Sequence, residues 1–432
     1  MPTGLGSVMV RTLLGVLLAG QLLGCDNRHD GTTVVQLWAF GREGEVLEAL
    51  LPEFERRNPG VRVRVQQIPW SAAHEKLLTA YAGGVMPDVF QLGNTWIPEF
   101  VALHALERLD ERIERSASVR LDDYFSGILA TNVIGAATWG VPWYVDTRLL
   151  FYRADLLARA GYERAPATHD EWLDAMRRLK AVAGEDGYAI LLPLNEWQPQ
   201  VIIALGFGAE LLRDGDRYGQ FESESFRAAF ELYVDLFRQR LAPVSSGAEF
   251  GNLYRDFAGG RFAMLVTGPW NIGEFRRRLP ERLQGAWSTA PIPGADARRP
   301  GPSLAGGASL VISRGSPRKE AAWRLVEYLS EAARQVEFYR LTGDLPARRS
   351  AWQASGLVED PHARAFFEQL QTVVSTPKIP EWERIASAIT RYSEAAVRGA
   401  MSVDEALHAI DRDVDAMLAK RRWMLARYGA TP

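Results

Sequence analysis

The chain has 432 residues, of which 47% are hydrophobic and 24% are charged, and its formal net charge is −3 at pH 7. This is the composition of an ordinary globular chain, and the near balance of charges argues against nucleic acid or an anionic membrane as the main partner. A chain of roughly 400 residues exceeds what one hydrophobic core usually holds, so two lobes are expected.

The first element is a short apolar stretch at 13–23, which leads to Cys25, the only cysteine. An apolar region of about 7–15 residues is too short to span a bilayer, which needs about 20. The pattern is typical of a signal peptide covering residues 1–24, with translation starting at Met1 or Met9. The mature chain would carry 49 basic and 53 acidic residues, a formal charge of −4.

The run Leu22-Leu23-Gly24-Cys25 resembles the lipobox of bacterial lipoproteins. The resemblance implies cleavage before Cys25, a diacylglycerol on its sulfur, and a lipid-anchored protein on the periplasmic side of the cytoplasmic membrane. Two or more acyl chains anchor a protein stably, whereas one chain binds only marginally. The polar residues 25–32 are then a lipidated tether. Because no second cysteine remains, the folded part is stabilised without disulfides.

The next elements alternate between strands and helices, which indicates an α/β fold with a largely parallel sheet. Residues 33–40 form an apolar strand, and the helix that follows ends at Asn58-Pro59-Gly60. The apolar and polar residues at 61–66 alternate, as expected of a half-exposed strand. Further predicted elements are a helix at 72–82, strands at 88–92 and 149–152, a capping box at 168–171, helices at 225–240 and 317–341, a loop at 291–302, and a last helix at 403–428 after a capping box at 402–405.

The 13 tryptophans are concentrated where elements end rather than inside periodic stripes. Aromatic rings at loop tips beside planar polar groups suit a carbohydrate, because a sugar ring stacks on an indole while its hydroxyls take paired hydrogen bonds. Position favours a ligand role for Trp143 and Trp270. It leaves Trp38, Trp70, Trp96, Trp197 and Trp382 open and assigns Trp139, Trp172, Trp323 and Trp423 to the core.

Six stretches resemble the extracellular solute-binding proteins of ABC sugar importers, the group that includes maltose- and trehalose-binding proteins. They are GGVMPDV (83–89), GVPWYVDT (140–147), FAGGRFAM (257–264), GPW (268–270), LAGG (304–307) and LPAR (345–348). The resemblance covers essentially the whole mature chain. It implies an α/β, two-lobed periplasmic-binding-protein fold of type II, in which each lobe has a mostly parallel sheet flanked by helices.

The resemblance also implies that the chain crosses between the lobes three times and that sugar lies in the cleft. We place the crossings near 143–148, 303–309 and 343–347. Lobe 1 then comprises 33–143 and 309–345, and lobe 2 comprises 148–303 and 346–432. The implied partners are a neutral sugar and the transmembrane subunits of a permease, with no cofactor, no metal, no nucleic acid, and a monomeric protein.

The resemblance gives roles to several residues of the cleft. Trp270 stacks on sugar, Asp146 accepts from hydroxyls, Gly306 and Gly307 let backbone approach the ligand, and Arg348 is a fork donor. The complete set of candidate ligand-binding residues is Arg42, Glu43, Asn94, Thr95, Trp96, Trp143, Tyr144, Asp146, Glu196, Trp197, Gln198, Trp270, Gly306, Gly307, Arg348 and Trp382.

Two other classes of protein, and other ligands within the binding proteins, remain as alternatives. A lipid-anchored glycoside hydrolase would also use tryptophan platforms, together with two carboxylates. No short catalytic or phosphate-binding motif is present, and the six histidines include no i,i+4 pair. A lipoprotein without a small ligand is disfavoured by the loop aromatics. Within the binding proteins, glycerol phosphates, polyamines and metal chelates are alternative ligands, and the sugar itself remains open, with maltose or trehalose favoured by the resemblance alone.

Overall fold

The structure, a computed structural model, describes residues 32–245 and 252–428. Cys25, the signal at 1–24 and almost all of the tether at 25–32 lie outside the described residues. Within them, no helix combines the length and the apolar character needed to cross a bilayer.

The larger sheet has six strands, and its centre is built from short buried segments. Thr33–Phe40 pairs in parallel with Val61–Ile68 along its whole length and with Val89–Gly93 on its other side. In spatial order the strands are Leu345–Pro346, Val141–Val145, Gly307–Ile312, Val89–Gly93, Thr33–Phe40 and Val61–Ile68.

The second sheet has four strands in the order Trp287–Ala290, Leu149–Arg153, Phe262–Thr267 and Tyr188–Leu191. Only the last pair is parallel. Two-stranded pairs join Val133–Ile134 to Ala137–Thr138, Leu212–Arg213 to Tyr218–Gly219, and Ser303–Leu304 to Val373–Val374.

The α/β, two-lobed fold expected from the sequence is confirmed. The sheets are mixed, however, rather than mostly parallel. In the larger sheet, Gly307–Ile312 runs antiparallel to both of its neighbours, Val89–Gly93 and Val141–Val145. A strand that returns from the other lobe enters the sheet from the opposite end, so it pairs in the antiparallel sense.

Helices cover both sheets, and their apolar faces supply much of the core. They are Gly41–Arg57, Trp70–Ala82, Ile97–Ala102, Asp110–Arg115, Ser126–Ala130, Ala154–Arg159, His169–Ala183, Gln198–Gly206, Glu224–Arg238, Leu253–Ala258, Trp270–Arg278, Lys319–Leu329, Ala332–Thr342, Arg349–Ser355, Arg364–Gln369, Trp382–Val397, Val403–Met417 and Ala419–Tyr428. Single 3-10 turns occur at Asn94–Trp96, Leu121–Asp123 and Glu281–Leu283.

The helix predicted at 317–341 is two helices, Lys319–Leu329 and Ala332–Thr342. The chain leaves helical geometry at Glu331, where ψ is 137°. Arg348 donates from Nη1 to the carbonyl oxygen of Ser330, the residue before Glu331, at 2.8 Å. The bond satisfies a carbonyl at the end of the first helix, which has no partner within the helix itself.

The chain passes from the first sheet to the second between residues 145 and 149 and returns between 304 and 307. The third passage comes later than the sequence indicates. Arg349–Ser355 packs on Ala332–Thr342 and on Leu345–Pro346, so residues 346–355, assigned by sequence to lobe 2, lie beside the first sheet. Arg364–Gln369 packs on strands of the second sheet.

Candidate ligand-binding cleft

A cavity of about 620 Å³ lies between the two sheets. Its volume falls within the range typical of small-molecule sites. Twelve of the sixteen candidate residues line it, namely Arg42, Glu43, Asn94, Thr95, Trp96, Tyr144, Asp146, Trp197, Gln198, Trp270, Gly306 and Gly307. Ten further residues complete the wall: Trp70, Gly93, Arg148, Glu274, Leu304, Ala305, Thr342, Asp344, Thr376 and Glu383.

Trp270 begins a helix immediately after the buried strand Phe262–Thr267. The turn through Gly268 folds the indole back against the backbone, and a Cβ at position 268 would overlap the ring. Glycine is therefore required by the close approach of the ring rather than by an unusual backbone angle. The turn fixes where the indole faces the cavity.

Two tryptophans of the first lobe form an aromatic cluster in the cavity wall. The ring of Trp70 lies 5.9 Å from that of Trp96, and both lie near Phe40, at 5.0 and 6.1 Å. The His74 ring is 4.9 Å from Trp96. Trp70, which the sequence leaves open, is 38% exposed, so this cluster presents apolar surface to the cavity.

Buried hydrogen bonds hold the acidic side chains at the base of the first lobe. Oε1 of Glu43 accepts from Tyr144 at 2.7 Å, from Trp70 at 3.0 Å and from Gln91 at 3.4 Å. Burial raises the pKa of Glu43 despite these donors. Burial also raises the pKa of Asp344 well above its ordinary value, and the neighbouring charge of Glu43 raises this pKa further.

Asp146 and Glu196 flank the guanidinium of Arg148. Arg148 donates from Nη1 to Oε2 of Glu196 at 2.9 Å, and its Nε lies 3.4 Å from Oδ1 of Asp146. Burial raises the pKa of Asp146 to about 6, although Arg148 opposes this shift. The guanidinium carbon lies 4.8 Å from the centroid of the Trp270 ring, in cation–π contact.

Two amide side chains of the wall each hold an atom that has no hydrogen-bond partner. Nδ2 of Asn94 is enclosed and has no hydrogen-bond partner, whereas its Oδ1 accepts from Ser309 at 2.9 Å. Oε1 of Gln198 is likewise enclosed without a partner. Enclosed polar atoms cost free energy unless they are paired.

One hydrogen bond joins the two lobes across the cavity wall. Thr95 follows the first-sheet strand Val89–Gly93 and donates from Oγ1 to Oε1 of Glu383 at 2.6 Å. Glu383 lies in the first turn of Trp382–Val397, whose buried face packs in the second-lobe core. Burial raises the pKa of Glu383.

Four candidate residues lie outside the cavity wall. Trp143 is 1% exposed and its ring lies 4.3 Å from that of Phe338, so we assign it to the core. Trp382 is fully buried behind Trp197, edge-on at 5.2 Å. Glu196 acts on the site through Arg148.

Arg348 has a role different from the one expected, and the glycine pair, which lines the cavity, has an additional one. Arg348 is buried, pairs with Asp123 at 2.7 Å and donates to backbone carbonyls, so it stabilises the chain rather than facing the cavity. A Cβ at Gly306 or Gly307 would overlap the carbonyl oxygen of Asp146 or Tyr144. The glycines therefore permit two crossing segments of chain to approach each other.

Sequence reasoning missed four charged residues of the wall, Arg148, Glu274, Asp344 and Glu383. Two weak signals point to all of them except Glu274. Arg148 stands two positions after Asp146, the spacing that puts side chains on one face of an extended segment. Asp344 and Glu383 each adjoin a stretch singled out for another residue. Within the described part of the chain, no three His, Cys, Asp or Glu side chains form a group able to hold a metal ion.

Comparison with known proteins gives a family for this fold and cleft. Residues 40–336 match the family described as bacterial extracellular solute-binding protein. The sugar-binding protein MalE from the phytopathogen Xanthomonas citri is 46% identical, and its structure has a TM-score of 0.87, covering 92% of this chain and 100% of that chain.

Two further relatives resemble the chain over most of its length. A solute-binding protein of an ABC transporter from Thermotoga lettingae, bound with α-D-tagatose, is 26% identical, with a TM-score of 0.78 and coverage of 90% of this chain and 100% of that one. The diacetylchitobiose binding protein DasA of Streptomyces coelicolor is 25% identical over 396 residues, which is 90% of each chain.

Proposed function

The chain belongs to the bacterial extracellular solute-binding proteins, and from that premise we propose that it is the substrate-binding subunit of an ABC sugar importer. It captures a neutral mono- or oligosaccharide in the cleft and delivers it to the transmembrane subunits of a permease. No bond of the sugar is broken in this subunit.

The observation that carries the proposal is the composition of the cavity wall. Tryptophan rings from both lobes, Trp70 and Trp96 on one side and Trp197 and Trp270 on the other, lie beside carboxyl and amide groups. A sugar ring has an apolar face that stacks on indole and a rim of hydroxyls that donate to carboxylates and accept from amides. One ligand of this chemistry satisfies both kinds of group.

The charges of the wall favour a neutral ligand over a phosphate. Two arginines, Arg42 and Arg148, stand among the carboxyl groups of Glu43, Asp146, Glu274, Asp344 and Glu383. A phosphate prefers a cluster of cationic donors, whereas these carboxyl groups would repel it. The sequence stretches that resemble maltose- and trehalose-binding proteins lead us to favour an α-linked disaccharide such as maltose or trehalose.

Capture proceeds by closure of the lobes around the sugar. Hinge closure of periplasmic binding proteins is a known type of conformational change. A sugar that contacts both walls binds the closed state better and shifts the population towards it. The lipid on Cys25 would hold the protein, as a monomer, on the periplasmic side of the membrane near the permease.

The test is a binding experiment on a soluble variant that begins at Asp26, using intrinsic tryptophan fluorescence and melting temperature. The panel contains maltose, trehalose, diacetylchitobiose, tagatose, polyols, polyamines and glycerol phosphates. We expect a saturable change with a sugar and an intact sugar afterwards by chromatography. Binding of only a polyamine or a glycerol phosphate would replace the proposed substrate, and cleavage of the sugar would assign a glycoside hydrolase instead.

A further inference from the structure

Arg148 occupies a central position in the cleft that its place in the sequence does not reveal. It follows Val141–Val145 on the first passage between the lobes, and its side chain is only 12% exposed. Its carbonyl oxygen accepts from Ser303 Oγ at 2.6 Å, which ties the first passage to the segment that begins the second. The backbone of Arg148 is therefore fixed by a hydrogen bond, and its side chain is enclosed.

Three contacts orient the guanidinium. Nη1 bonds to Glu196, Nε faces Asp146, and the guanidinium carbon lies over the Trp270 ring. Two carboxylates on different segments and one aromatic ring restrict the group more than a single ion pair would. The hydrogen bond to Glu196 is charge-assisted, and such bonds are roughly twice as strong as neutral ones, so the guanidinium is pre-organised.

The third nitrogen of the Arg148 guanidinium, Nη2, differs from the other two in its hydrogen bonding. Nη2 makes no hydrogen bond with any residue in 32–245 or 252–428, and Arg148 lines the cavity. The nitrogen therefore keeps its N–H donors for a ligand. The enclosed Nδ2 of Asn94 is a second unpaired donor in the wall, so the cavity offers donors from two segments of chain.

We infer that Arg148 is a specificity-determining residue of the sugar site, donating from Nη2 to a hydroxyl oxygen of the sugar that stacks on Trp270. The inference rests on the proposed function. It also limits the substrate class. Because Asp146 and Glu196 offset the positive charge of Arg148, the group recognises a neutral oxygen rather than an anion.

The arrangement couples Arg148 to the pH dependence of binding. Asp146 faces Arg148, Glu196, Glu43, Asp344 and Tyr144, of which only Arg148 is cationic. If ionised Asp146 accepts a sugar hydroxyl, affinity falls as the pH drops through about 6, the pKa of this carboxyl. Loss of the arginine charge removes the one neighbour that lowers this pKa, so the midpoint moves to higher pH.

The experiment measures affinity by calorimetry between pH 5 and 8 for wild type, Arg148→Met and Arg148→Lys, with the sugar found in the panel. Arg391→Met is the matched control, because Arg391 pairs with Asp413 within the second lobe, outside the cavity wall. Melting curves establish that each variant is folded. The lysine variant keeps the charge and provides the test if the methionine variant does not fold.

We expect both Arg148 variants to bind at least about tenfold more weakly at pH 7.5, the range for loss of a charged hydrogen bond. The midpoint should move above about 6 in Arg148→Met and stay near the wild-type value in Arg148→Lys. Wild-type affinity and an unchanged midpoint in the folded variants would overturn the inference while the proposed function stands. Absence of sugar binding by the wild type would overturn both.

Discussion

At the level of single residues, the cleft combines aromatic rings with polar atoms that have no partner in the protein. Trp70, Trp96 and Trp270 present rings, and Asn94 and Gln198 each hold an enclosed atom without a hydrogen bond. Water satisfies only the polar atoms, whereas a polyhydroxylated ring also covers the indoles. This difference is the source of affinity in our account.

Replacing Trp270 with Ala should weaken sugar binding at least about tenfold, because a stacked aromatic contributes on the order of 1–2 kcal/mol. Calorimetry with the sugar found in the panel measures the loss. Trp423→Ala is the control, since Trp423 is 55% exposed on the last helix and does not line the cavity. Equal affinity of Trp270→Ala and wild type would show that the stacking site is elsewhere.

Replacing Asp344 with Asn should stabilise the ligand-free protein at neutral pH. Asp344 has a pKa well above its ordinary 3.8, because burial and Glu43 disfavour its charge. An ionised carboxyl with a raised pKa lowers the free energy of unfolding as pH rises above 3.8 through the folded value. The variant should therefore melt about 2 °C higher at pH 8, with the gain vanishing below pH 4.

The exposed Asp122 provides a comparison for that experiment. Its side chain is 71% exposed and pairs with Arg120, so Asp122→Asn should give no gain at pH 8. The explanation by the buried charge of Asp344 would be wrong if the melting temperature rose equally in both variants. It would also be wrong if the rise in Asp344→Asn persisted at pH 4. Destabilised groups of this kind are common at binding sites.

Residue spacing also explains which side chains could be assigned from the sequence. Trp143 and Tyr144 share one motif, and both rings lie near Phe338, at 4.3 and 5.9 Å, where the pairing of the strand shifts register. Tyr144 bonds to Glu43 at the cavity, and Trp143 packs on Phe338. Trp423, predicted to be core, is exposed. A motif identifies the segment, whereas its register against the sheet decides which residue faces the ligand.

At the level of elements, strands and helices with strong local signals were predictable. The strand expected at 33–40 is Thr33–Phe40, and the helix expected at 225–240 is Glu224–Arg238. The last helix, expected to run unbroken over 403–428, divides at Leu418. Interruptions are set by tertiary contacts, which local periodicity does not contain.

The capping box at the start of Val403–Met417 makes a stability prediction. Ser402 Oγ accepts from the backbone N–H of Glu405 at 3.2 Å, and the Glu405 carboxylate accepts from the Ser402 N–H at 2.8 Å. Ser402→Ala should reduce the free energy of unfolding by about 1 kcal/mol. Urea unfolding measures this, and sugar affinity should stay unchanged, because the box lies outside the cavity wall. An unchanged urea midpoint would show that the cap contributes nothing.

At the level of the whole molecule, the lobes are joined by hydrogen bonds and ring contacts between residues far apart in the sequence. Thr95 bonds to Glu383 across the cavity wall, and Lys378 donates to the carbonyl oxygens of Ala130 and Val133. Partners such as Thr95 and Glu383 are 288 positions apart. No local pattern links them, which is why Glu383 escaped sequence reasoning, whereas the two-lobed fold followed from the family resemblance.

Closure of the lobes around a sugar would make the molecule more compact, and small-angle X-ray scattering of the soluble variant measures this change. The radius of gyration is measured without ligand and with saturating sugar, in wild type and in Trp270→Ala at the same sugar concentration. We predict a smaller radius for liganded wild type and a smaller change in the variant. An unchanged radius for wild type, at a concentration where calorimetry shows full occupancy, would contradict capture by closure.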